Sequence, residues 1–354
     1  MKQLRDLSLF DPALRGAVLT VGNFDGVHLG HRRILRTARA LANVSSAAVI
    51  AMTFDPHPLA VLTPDHAPAR LSPWEEKVNL LAAAGADVVV RLKTDRALLS
   101  LAPETFIQEL LIRQIHPSYI VEGPDFAFGK NRTGNVDTLR RASAKGGFQV
   151  HIVEPYRLNL GDGGQVTVSS TLIRRCLARG RVAQAAACLG RPYALIGEVV
   201  RGAGDGRKLG YPTINLNLGE QLIPAEGVYA GRVHPAPCTT EAPPPGDRST
   251  ESNDEPQASA RAAPRIARDP NAPAPADTRT AAVSIGRRPT LGGESLVVEA
   301  FILDATGDWY GRRVRLELID FVRHQERFDN RETLTAQIAR DIETVRRIAR
   351  ENTT

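Results

Sequence analysis

The sequence lacks the features that mark secreted, membrane-spanning and zinc-binding proteins. Its 354 residues include only three cysteines, Cys176, Cys188 and Cys238, and no CxxC pair. An odd set of separated thiols argues against a disulfide framework and a zinc knuckle, so a reducing cytoplasm is the simplest location. No apolar run reaches about 18 residues, and charges interrupt the apolar stretches near Met1, so we expect no membrane span and no signal peptide.

Concentrated charge is also missing. The net charge is +6 and lysine is scarce beside arginine, but no run of like charges resembles a nucleic-acid-binding tail. The basic balance fits small ligands that carry phosphate groups, and we expect neither nucleic acid nor membrane as a partner; weak self-association is left open. At this length the chain is expected to form two domains, each with its own core.

The first half of the chain alternates short apolar runs with longer segments of helical period. Strands are predicted at residues 17–21, 47–54, 87–92, 118–122 and 148–153, and helices at 32–41, 74–84, 104–115 and 136–145. This alternation predicts an α/β domain in which helices cover a Rossmann-like parallel sheet. Ligands of such sheets bind beyond the carboxyl ends of the strands.

The first predicted strand leads into a glycine-punctuated turn and a helix start with two histidines. His28 and His31 are three residues apart, so they project from nearly the same face, and Gly30 leaves room between them. First-turn N–H groups and the positive helix end would face bound phosphates. A single histidine here is more often a capping or solvated residue, but the whole assembly indicates nucleotidyl transfer. The residues assigned to phosphate binding in this stretch are Gly22, Asn23, Phe24 and Gly30.

Two further strand ends carry polar clusters. Residues 53–58 place a carboxylate and an imidazole between prolines, and a rigid turn without chemistry is an equally good interpretation. Residues 122–132 form a glycine-bounded loop in which Asp125, Phe126 and Phe128 are candidate flavin contacts, because ring systems stack on phenylalanine. The alternative for this loop is a hydrophobic anchor.

Consecutive hydroxyl groups open another predicted helix near residue 169. Ser169 or Ser170 alone would be an ordinary N-cap. With Thr171 and Arg174 added, hydroxyls and a guanidinium meet at one helix N-terminus, which is suited to hold a triphosphate.

The second half begins with a strand at 194–200 and a glycine-rich loop. Gly202, Gly204, Gly206 and Lys208 would let backbone N–H groups approach a phosphate, although an ordinary hairpin loop is the commoner explanation. In the run that follows, Thr213 and Asn215 alternate onto one strand face, where both oxygens can meet a magnesium ion.

Later strands at 227–233, 281–285, 297–303 and 313–321 predict a small antiparallel β-barrel, closed by a helix at 331–350. Glu299 is an acid in an otherwise apolar strand, and it is either an outward-facing residue or a functional one. Residues 234–280 are rich in proline and alanine and almost free of large apolar side chains. We interpret that segment as a disordered insertion in a barrel loop.

Four motifs give the sequence a specific resemblance. They are Gly-Asn-Phe-Asp-Gly-Val-His-Leu-Gly-His (22–31), Ser-Ser-Thr-Leu-Ile-Arg (169–174), Leu-Gly-Arg-Pro-Tyr (189–193) and Leu-Gly-Tyr-Pro-Thr-Ile-Asn (209–215). Their order resembles that of the prokaryotic bifunctional riboflavin kinase/FAD synthetases over nearly the whole chain except about 234–280. The resemblance implies an FMN adenylyltransferase domain at 1–188 and a riboflavin kinase domain at 189–354.

The resemblance also implies roles for individual residues. His28, His31 and Arg174 would stabilise charge during FMN adenylylation, and Glu299 would be the base that deprotonates the riboflavin 5′-hydroxyl. Thr213 and Asn215 would hold Mg²⁺, and Arg288 and Thr290 would contact the flavin. ATP would be the co-substrate, with riboflavin, FMN and FAD as substrate, intermediate and product.

Three positions depart from the family pattern. Ala127 stands where an arginine is common, and Ser284 and Arg287 replace an asparagine and a threonine. Two alternatives stay open. The insertion and the changes at Ser284 and Arg287 are compatible with an FMN adenylyltransferase whose kinase domain has decayed. The chain could also be a non-catalytic flavin-binding protein whose proline-rich insertion recruits a partner.

Overall fold

The computed structural model describes residues 2–4, 10–161, 164–202, 204–236, 278–290, 293–305 and 307–352. In its N-terminal half the strands are β1 Lys2–Leu4, β2 Val18–Gly22, β3 Val49–Asp55, β4 Val88–Lys93, β5 Tyr119–Glu122, β6 Ala127–Phe128, β7 Gly134–Asn135, β8 Gln149–Ile152, β9 Arg157–Asn159 and β10 Gln165–Thr167. Six of them form one parallel sheet in the order β1-β4-β3-β2-β5-β8. The predicted parallel sheet covered by helices is confirmed, and the unpredicted β1 is a three-residue edge strand.

Helices cover both faces of this sheet. The helices of this half of the chain are α1 Leu29–Ser45, α2 Pro58–Leu62, α3 Trp74–Ala83, α4 Arg96–Leu99, α5 Pro103–Thr105, α6 Val136–Gly146, α7 Ser170–Leu177 and α8 Val182–Leu189. The last two, α7 and α8, pack against the C-terminal half of the chain and not on this sheet. Alternate strand residues enter different cores: Leu19 and Met52 lie in one hydrophobic cluster, and Val18 and Ala51 in another. The predicted helix at 104–115 is present, but its main part, Phe106–Ile115, is a π-helix.

The C-terminal half is a closed barrel. Its strands are β11 Tyr193–Val200, β12 Thr213–Asn217, β13 Gly227–Pro235, β14 Arg279–Thr290, β15 Gly293–Ile302 and β16 Arg313–Arg323. They pair antiparallel in the order β11-β12-β15-β14-β13-β16, with β16 closing on β11. Helix α9 Asp205–Lys208 follows β11. Helix α10 Arg331–Glu351 packs Val345 and Ile348 against Ala230 and Leu303 on the outside of the barrel. The predicted barrel and terminal helix are confirmed.

The predicted insertion is too long at both ends. Residues His234 and Pro235 belong to β13, and Arg279 and Thr280 belong to β14, where Val233 pairs with Arg279. The pairing of β13 with β16 continues through His234 and Pro235, past the last apolar residue, Val233, because the side chains still alternate between the two faces of the strand. The remainder of the predicted insertion, 237–277, lies outside the described residues.

Side chains from both halves meet at an interface beside α3 and β16. Gln221 is buried and donates from Nε2 to the carbonyls of Leu71 (3.3 Å) and Ala194 (2.6 Å). Arg315 on β16 forms ion pairs with Glu76 of α3 and with Glu317, the latter at 3.0 Å. The two halves are therefore joined by buried polar contacts. We keep the domain boundary between residues 188 and 189 as a prediction.

Candidate active sites

The two motif histidines form a stacked pair at the start of α1. His28 is the N-cap, and its Nδ1 accepts a hydrogen bond from the His31 N–H at 3.3 Å. The ring centroids are 3.7 Å apart and the ring planes differ by 18°. A Cβ on Gly30 would lie 3.1 Å from the His28 ring and 3.6 Å from the Val168 carbonyl oxygen. Gly30 therefore lets the His28 ring lie close to the backbone.

Both imidazoles are neutral near pH 7. Burial lowers the pKa of His28 to about 3, and the positive charges of Arg191 and Arg174 add to this effect. Burial also lowers the pKa of His31 well below its usual value, assisted by His28 and Lys77. Because His28 Nδ1 accepts a hydrogen bond, the proton of its ring is assigned to Nε2. His28 is thus a neutral N–H donor.

The turn before α1 has a polar inner side. Asn23 Nδ2 lies 3.1 Å from His57 Nε2, and the Asn23 carbonyl accepts hydrogen bonds from Thr53 Oγ1 (3.1 Å) and Lys77 Nζ (3.0 Å). Within the described part of the chain, Asn23 Oδ1 and His31 Nδ1 are buried without a hydrogen-bond partner. Unsatisfied buried polar atoms at a strand end indicate a polar ligand.

The Phe24 side chain packs against residues of this turn. Phe24 has a positive φ of 44° and is almost fully buried, and its ring meets the His31 ring edge-on at 5.2 Å. A Cβ on Gly22 would lie 3.3 Å from the Phe24 ring. Gly22 and Phe24 therefore shape the backbone of the turn, and direct contact of their atoms with phosphate stays a prediction.

The helix with the predicted phosphate grip is tied to the same turn by Asp25. The Arg174 guanidinium forms an ion pair with the Asp25 carboxylate and donates from Nε to the Ala69 carbonyl at 2.9 Å. Ser170 Oγ donates to the Asp25 carbonyl at 2.8 Å. Ser169 is the N-cap of α7, accepting from the Leu172 N–H at 3.2 Å, and Thr171 is exposed. The sequence-predicted residues at 22–31 and 169–174 are thus brought together.

The loop at 122–132 is partly a hydrophobic anchor. The Phe128 ring is buried, packs against Phe106 at 5.5 Å and stacks on Phe126 at 5.2 Å. This geometry favours the anchor interpretation for Phe128. Asp125 is exposed and Phe126 half-buried, so these two residues keep their predicted role as flavin contacts.

A second constellation lies on the barrel. Asn215 on β12 is directly opposite Glu299 on β15, and Thr213 Oγ1 lies 3.5 Å from Glu299 Oε1. Their strand neighbours Ile214 and Ala300 belong to the barrel core, so by strand alternation all three polar side chains point outward. The three predicted kinase residues therefore meet on the outer face of the barrel.

The glycine-rich loop covers this constellation. A Cβ on Gly202 would lie only 2.2 Å from Asn215 Nδ2, so glycine is required there for close approach. A Cβ on Gly206 would lie 2.4 Å from the Tyr211 carbonyl oxygen and 3.3 Å from Thr213 Oγ1, and Gly204 has a positive φ of 75°. The Lys208 side chain lies outside the described residues.

The predicted flavin contacts of this domain lie on β14. Arg288 and Thr290 are backbone partners of Ser295 and Gly293, and their side chains are outside the described part. The two departures from the family pattern have partners of their own: Arg287 pairs with Glu226 at 2.8 Å, and Ser284 Oγ accepts from Gln325 Nε2 at 3.0 Å.

Oxygen donors in the second constellation suit a hard cation such as Mg²⁺. Thr213, Asn215 and Glu299 offer a hydroxyl, an amide oxygen and a carboxylate. Among the described residues no three His, Cys, Asp or Glu side chains cluster as a metal site. A cation here would therefore need ligands from a bound phosphate as well.

Sequence patterns missed several residues of the first site. Asp25 lies inside the first motif but was not assigned a role, and Lys77 and Arg191 come from distant parts of the chain. Lys77 is buried, and burial lowers its pKa despite the nearby carboxylates. Arg191 donates to the carbonyls of Gly26 (2.7 Å) and Val27 (3.3 Å). A basic residue on the buried face of predicted helix 74–84 was the available signal for Lys77.

Each half of the chain matches a family model. The FAD synthetase family model matches residues 11–172, and the riboflavin kinase family model matches residues 189–349. The chain is 34% identical over 98% of its length to the bifunctional riboflavin kinase/FMN adenylyltransferase of Escherichia coli K12, covering 97% of that protein. Identity to the Haemophilus influenzae protein of the same description is 31%, covering 98% of each chain.

A solved structure has the same overall arrangement. It is a Streptococcus pneumoniae chain described as a macrolide-efflux protein, with 26% identity, a TM-score of 0.76 and coverage of 97% of this chain and 98% of that one. In the part of the present chain that the structure describes, no helix is long and apolar enough to cross a bilayer. The chain belongs to the family of bifunctional riboflavin kinase/FMN adenylyltransferases.

Proposed function

We propose that the barrel of this protein phosphorylates riboflavin with ATP to give FMN, and that its parallel-sheet domain adenylylates FMN with a second ATP to give FAD and pyrophosphate. The observation that carries the proposal is the presence of two separate constellations. One is the His28–His31 pair with Arg174, and the other is the Thr213, Asn215 and Glu299 group.

In the kinase reaction Glu299 accepts the proton of the riboflavin 5′-hydroxyl. The freed oxygen attacks the γ-phosphorus of ATP, the bond to the β-phosphate oxygen breaks, and ADP leaves. Gly202, Gly204 and Gly206 bring backbone N–H groups towards the ATP phosphates, as the close approach of Gly202 to Asn215 supports. Lys208, Arg288 and Thr290 are assigned the phosphate and flavin contacts that their motifs predict.

Thr213 and Asn215 would hold Mg²⁺ in this site. The bound ion supplies neutralisation of charge on the ATP phosphates. Glu299 lies next to both residues, so the base is positioned where the phosphate chain and the hydroxyl meet.

In the adenylyl transfer an oxygen of the FMN phosphate attacks the α-phosphorus of ATP, and the bond to the β-phosphate oxygen breaks. His28 donates from Nε2 and His31 lies stacked beside it, so the pair stabilises developing negative charge by hydrogen bonding rather than as two imidazolium ions. Arg174 and the N–H groups at the start of α1 add positive potential. Asp125 and Phe126 are assigned to the flavin.

The test is product analysis by chromatography. Purified protein with riboflavin, ATP and magnesium should form FMN first and FAD later, with pyrophosphate appearing in step with FAD. Formation of FAD from supplied FMN but no FMN from riboflavin would support the alternative with a decayed kinase domain. Flavin binding without turnover of ATP in either assay would contradict both enzymatic readings.

A further inference from the structure

A cavity of about 370 Å³ lies between α7, α8 and the β9–β10 hairpin, apart from both constellations. Its lining includes Arg175, Arg179 and Arg181, together with Leu160, Val166 and Leu172. The volume falls in the range of about 300–1,000 Å³ that is typical of small-molecule sites.

The polar side of the cavity carries charge of one sign. Three guanidinium groups line it, and no carboxylate is among its described lining residues. Arg175 lies on α7 and Arg179 in the turn that follows it, and both line the same cavity, so two like charges face one space. Both are exposed, and neither makes an ion pair or hydrogen bond through its side chain within the described part of the chain. An anion between them would relieve this repulsion.

The remaining wall is apolar and held in place. Leu160, Val166 and Leu172 all line the cavity, and Leu160 and Leu172 also pack against the hydrophobic core of the barrel. Gln184 donates from Nε2 to the Leu160 carbonyl at 3.2 Å and accepts from Arg181 at 3.5 Å, so it ties the hairpin to α8. An apolar wall opposite a cationic one fits a ligand that has a ring system as well as an anionic group.

The cavity is distinct from the adenylyl-transfer site because the two use different faces of α7. Ser170 and Arg174 are four residues apart and both contact Asp25. Arg175 is rotated by about 100° from Arg174 around the helix axis. Leu172 and Cys176 of α7 line the cavity with Arg175, and Arg179 lies in the turn after the helix. One short helix therefore separates the two cationic surfaces.

We propose that this cavity binds a phosphorylated ring compound outside both active sites, with Arg175 and Arg179 on the phosphate and the leucine and valine side chains on the ring. Two sources of this chemistry are a flavin phosphate and an adenine nucleotide. Because the binding helix also carries Ser170 and Arg174, an occupied cavity restrains the element that grips ATP.

Equilibrium dialysis tests the proposal, with FMN and ADP as separate probes. The variant R175Q/R179Q removes both guanidinium charges at exposed positions. R36Q/R96Q is the matched control, because Arg36 and Arg96 are equally exposed, lie on α1 and α4, and are remote from the cavity lining. For one of the two probes, the wild type and the control should each bind one equivalent per chain. The dissociation constant of that equivalent should be about tenfold or more higher in R175Q/R179Q.

The same probe should slow amide hydrogen exchange in the β9–β10 hairpin of the wild-type protein, and this protection should disappear in R175Q/R179Q. If the double variant loses binding and hairpin protection with FMN alone, the ligand is a flavin phosphate. If it loses them with ADP alone, the ligand is an adenine nucleotide. Identical stoichiometry and affinity for both probes in all three proteins, with no protection of the hairpin, would overturn the proposal. The result does not depend on either enzymatic rate.

Discussion

Asp25 holds Arg174 in an ion pair while its carboxylate oxygens accept the Leu71 N–H at 3.0 Å. Its side chain therefore connects three segments that are far apart in sequence: the turn after β2, the loop before α3 and helix α7. The ion pair is largely buried, with the two side chains 19% and 8% exposed. We infer that Asp25 positions Arg174 for the phosphate-binding role proposed above.

Replacing Asp25 by asparagine should impair adenylyl transfer selectively. Asparagine keeps the size but removes the charge that holds Arg174, so the loss should be about 2 kcal/mol of transition-state stabilisation, or a factor of about 30 in kcat/KM. Initial rates of FAD formation from FMN measure it, with riboflavin phosphorylation unchanged. D137N is the control, because Asp137 pairs with Arg140 on the surface at 3.3 Å. Equal loss in both reactions would show a general structural role instead.

The buried histidine pair predicts that the free energy of unfolding depends on pH. The pKa of His28 is lowered to about 3 in the folded chain, whereas an unfolded histidine titrates near its ordinary value of 6.5. Between these values the unfolded state binds more protons, so stability is lost as the pH falls below about 6.5. His28 alone should remove about 2 kcal/mol from the free energy of unfolding between pH 7.5 and pH 5.

Urea unfolding at the two pH values checks this expectation. H28Q should show a smaller loss than wild type on acidification, because glutamine does not titrate. H151Q, at an exposed histidine, should behave as wild type. A pH dependence that is the same in all three proteins would contradict a buried neutral His28.

Removing Arg315 should destabilise the contact between the two halves. Burial alone would raise the pKa of Glu317, yet His234 and Arg315 hold it at about 2. Arg315→Ala would leave the mostly buried Glu76 and Glu317 without this partner, at a cost of about 3–5 kcal/mol. Arg313→Ala at the neighbouring, half-exposed pair with Glu75 should cost under about 1 kcal/mol. Urea unfolding curves separate the two values, and equal effects would argue against a buried pair.

Deleting residues 237–277 and closing the gap with a short turn should preserve kinase activity. Val233 and Arg279 are ladder partners, so β13 and β14 are already adjacent where the deleted segment leaves the barrel. Closure entropy changes slowly with loop length, and the shorter connection is not expected to weaken the fold. FMN formation by the deletion protein should be within about twofold of wild type. A large loss in a protein with an unchanged unfolding curve would place the segment in the kinase site.

Local patterns were sufficient for much of the fold and for the grouping of several candidate site residues. His28, Gly30 and His31 lie within four residues, and the stacking of the two rings follows from their spacing at a helix start. The alternation of Thr213 and Asn215 likewise predicted their shared face. In contrast, Lys77 reaches the first site across 54 residues to the Asn23 carbonyl, and only tertiary packing brings these two groups together.

Other features were beyond sequence patterns for physical reasons. The π-helix at Phe106–Ile115 has the same apolar spacing as an α-helix, so periodicity could not separate the two. The position of Phe128 in a glycine-bounded loop predicts a residue that stacks on a ligand. In the structure it is buried against Phe106, which lies on a helix more than 20 residues earlier in the chain. The extension of β13 to Pro235 was missed because proline-rich composition masked the last ladder pairs.

The most direct test of two independent active sites is a comparison of E299Q and H28A in separate initial-rate assays of the two reactions. E299Q should lower FMN formation from riboflavin by a factor of about 100 or more while leaving FAD formation from supplied FMN within about twofold. H28A should do the reverse, since it removes the Nε2 donor, the Nδ1 N-cap and the stacked ring of the first site and no group of the barrel site. Loss of both reactions in either variant, with an unchanged unfolding curve, would contradict the assignment of one reaction to each constellation.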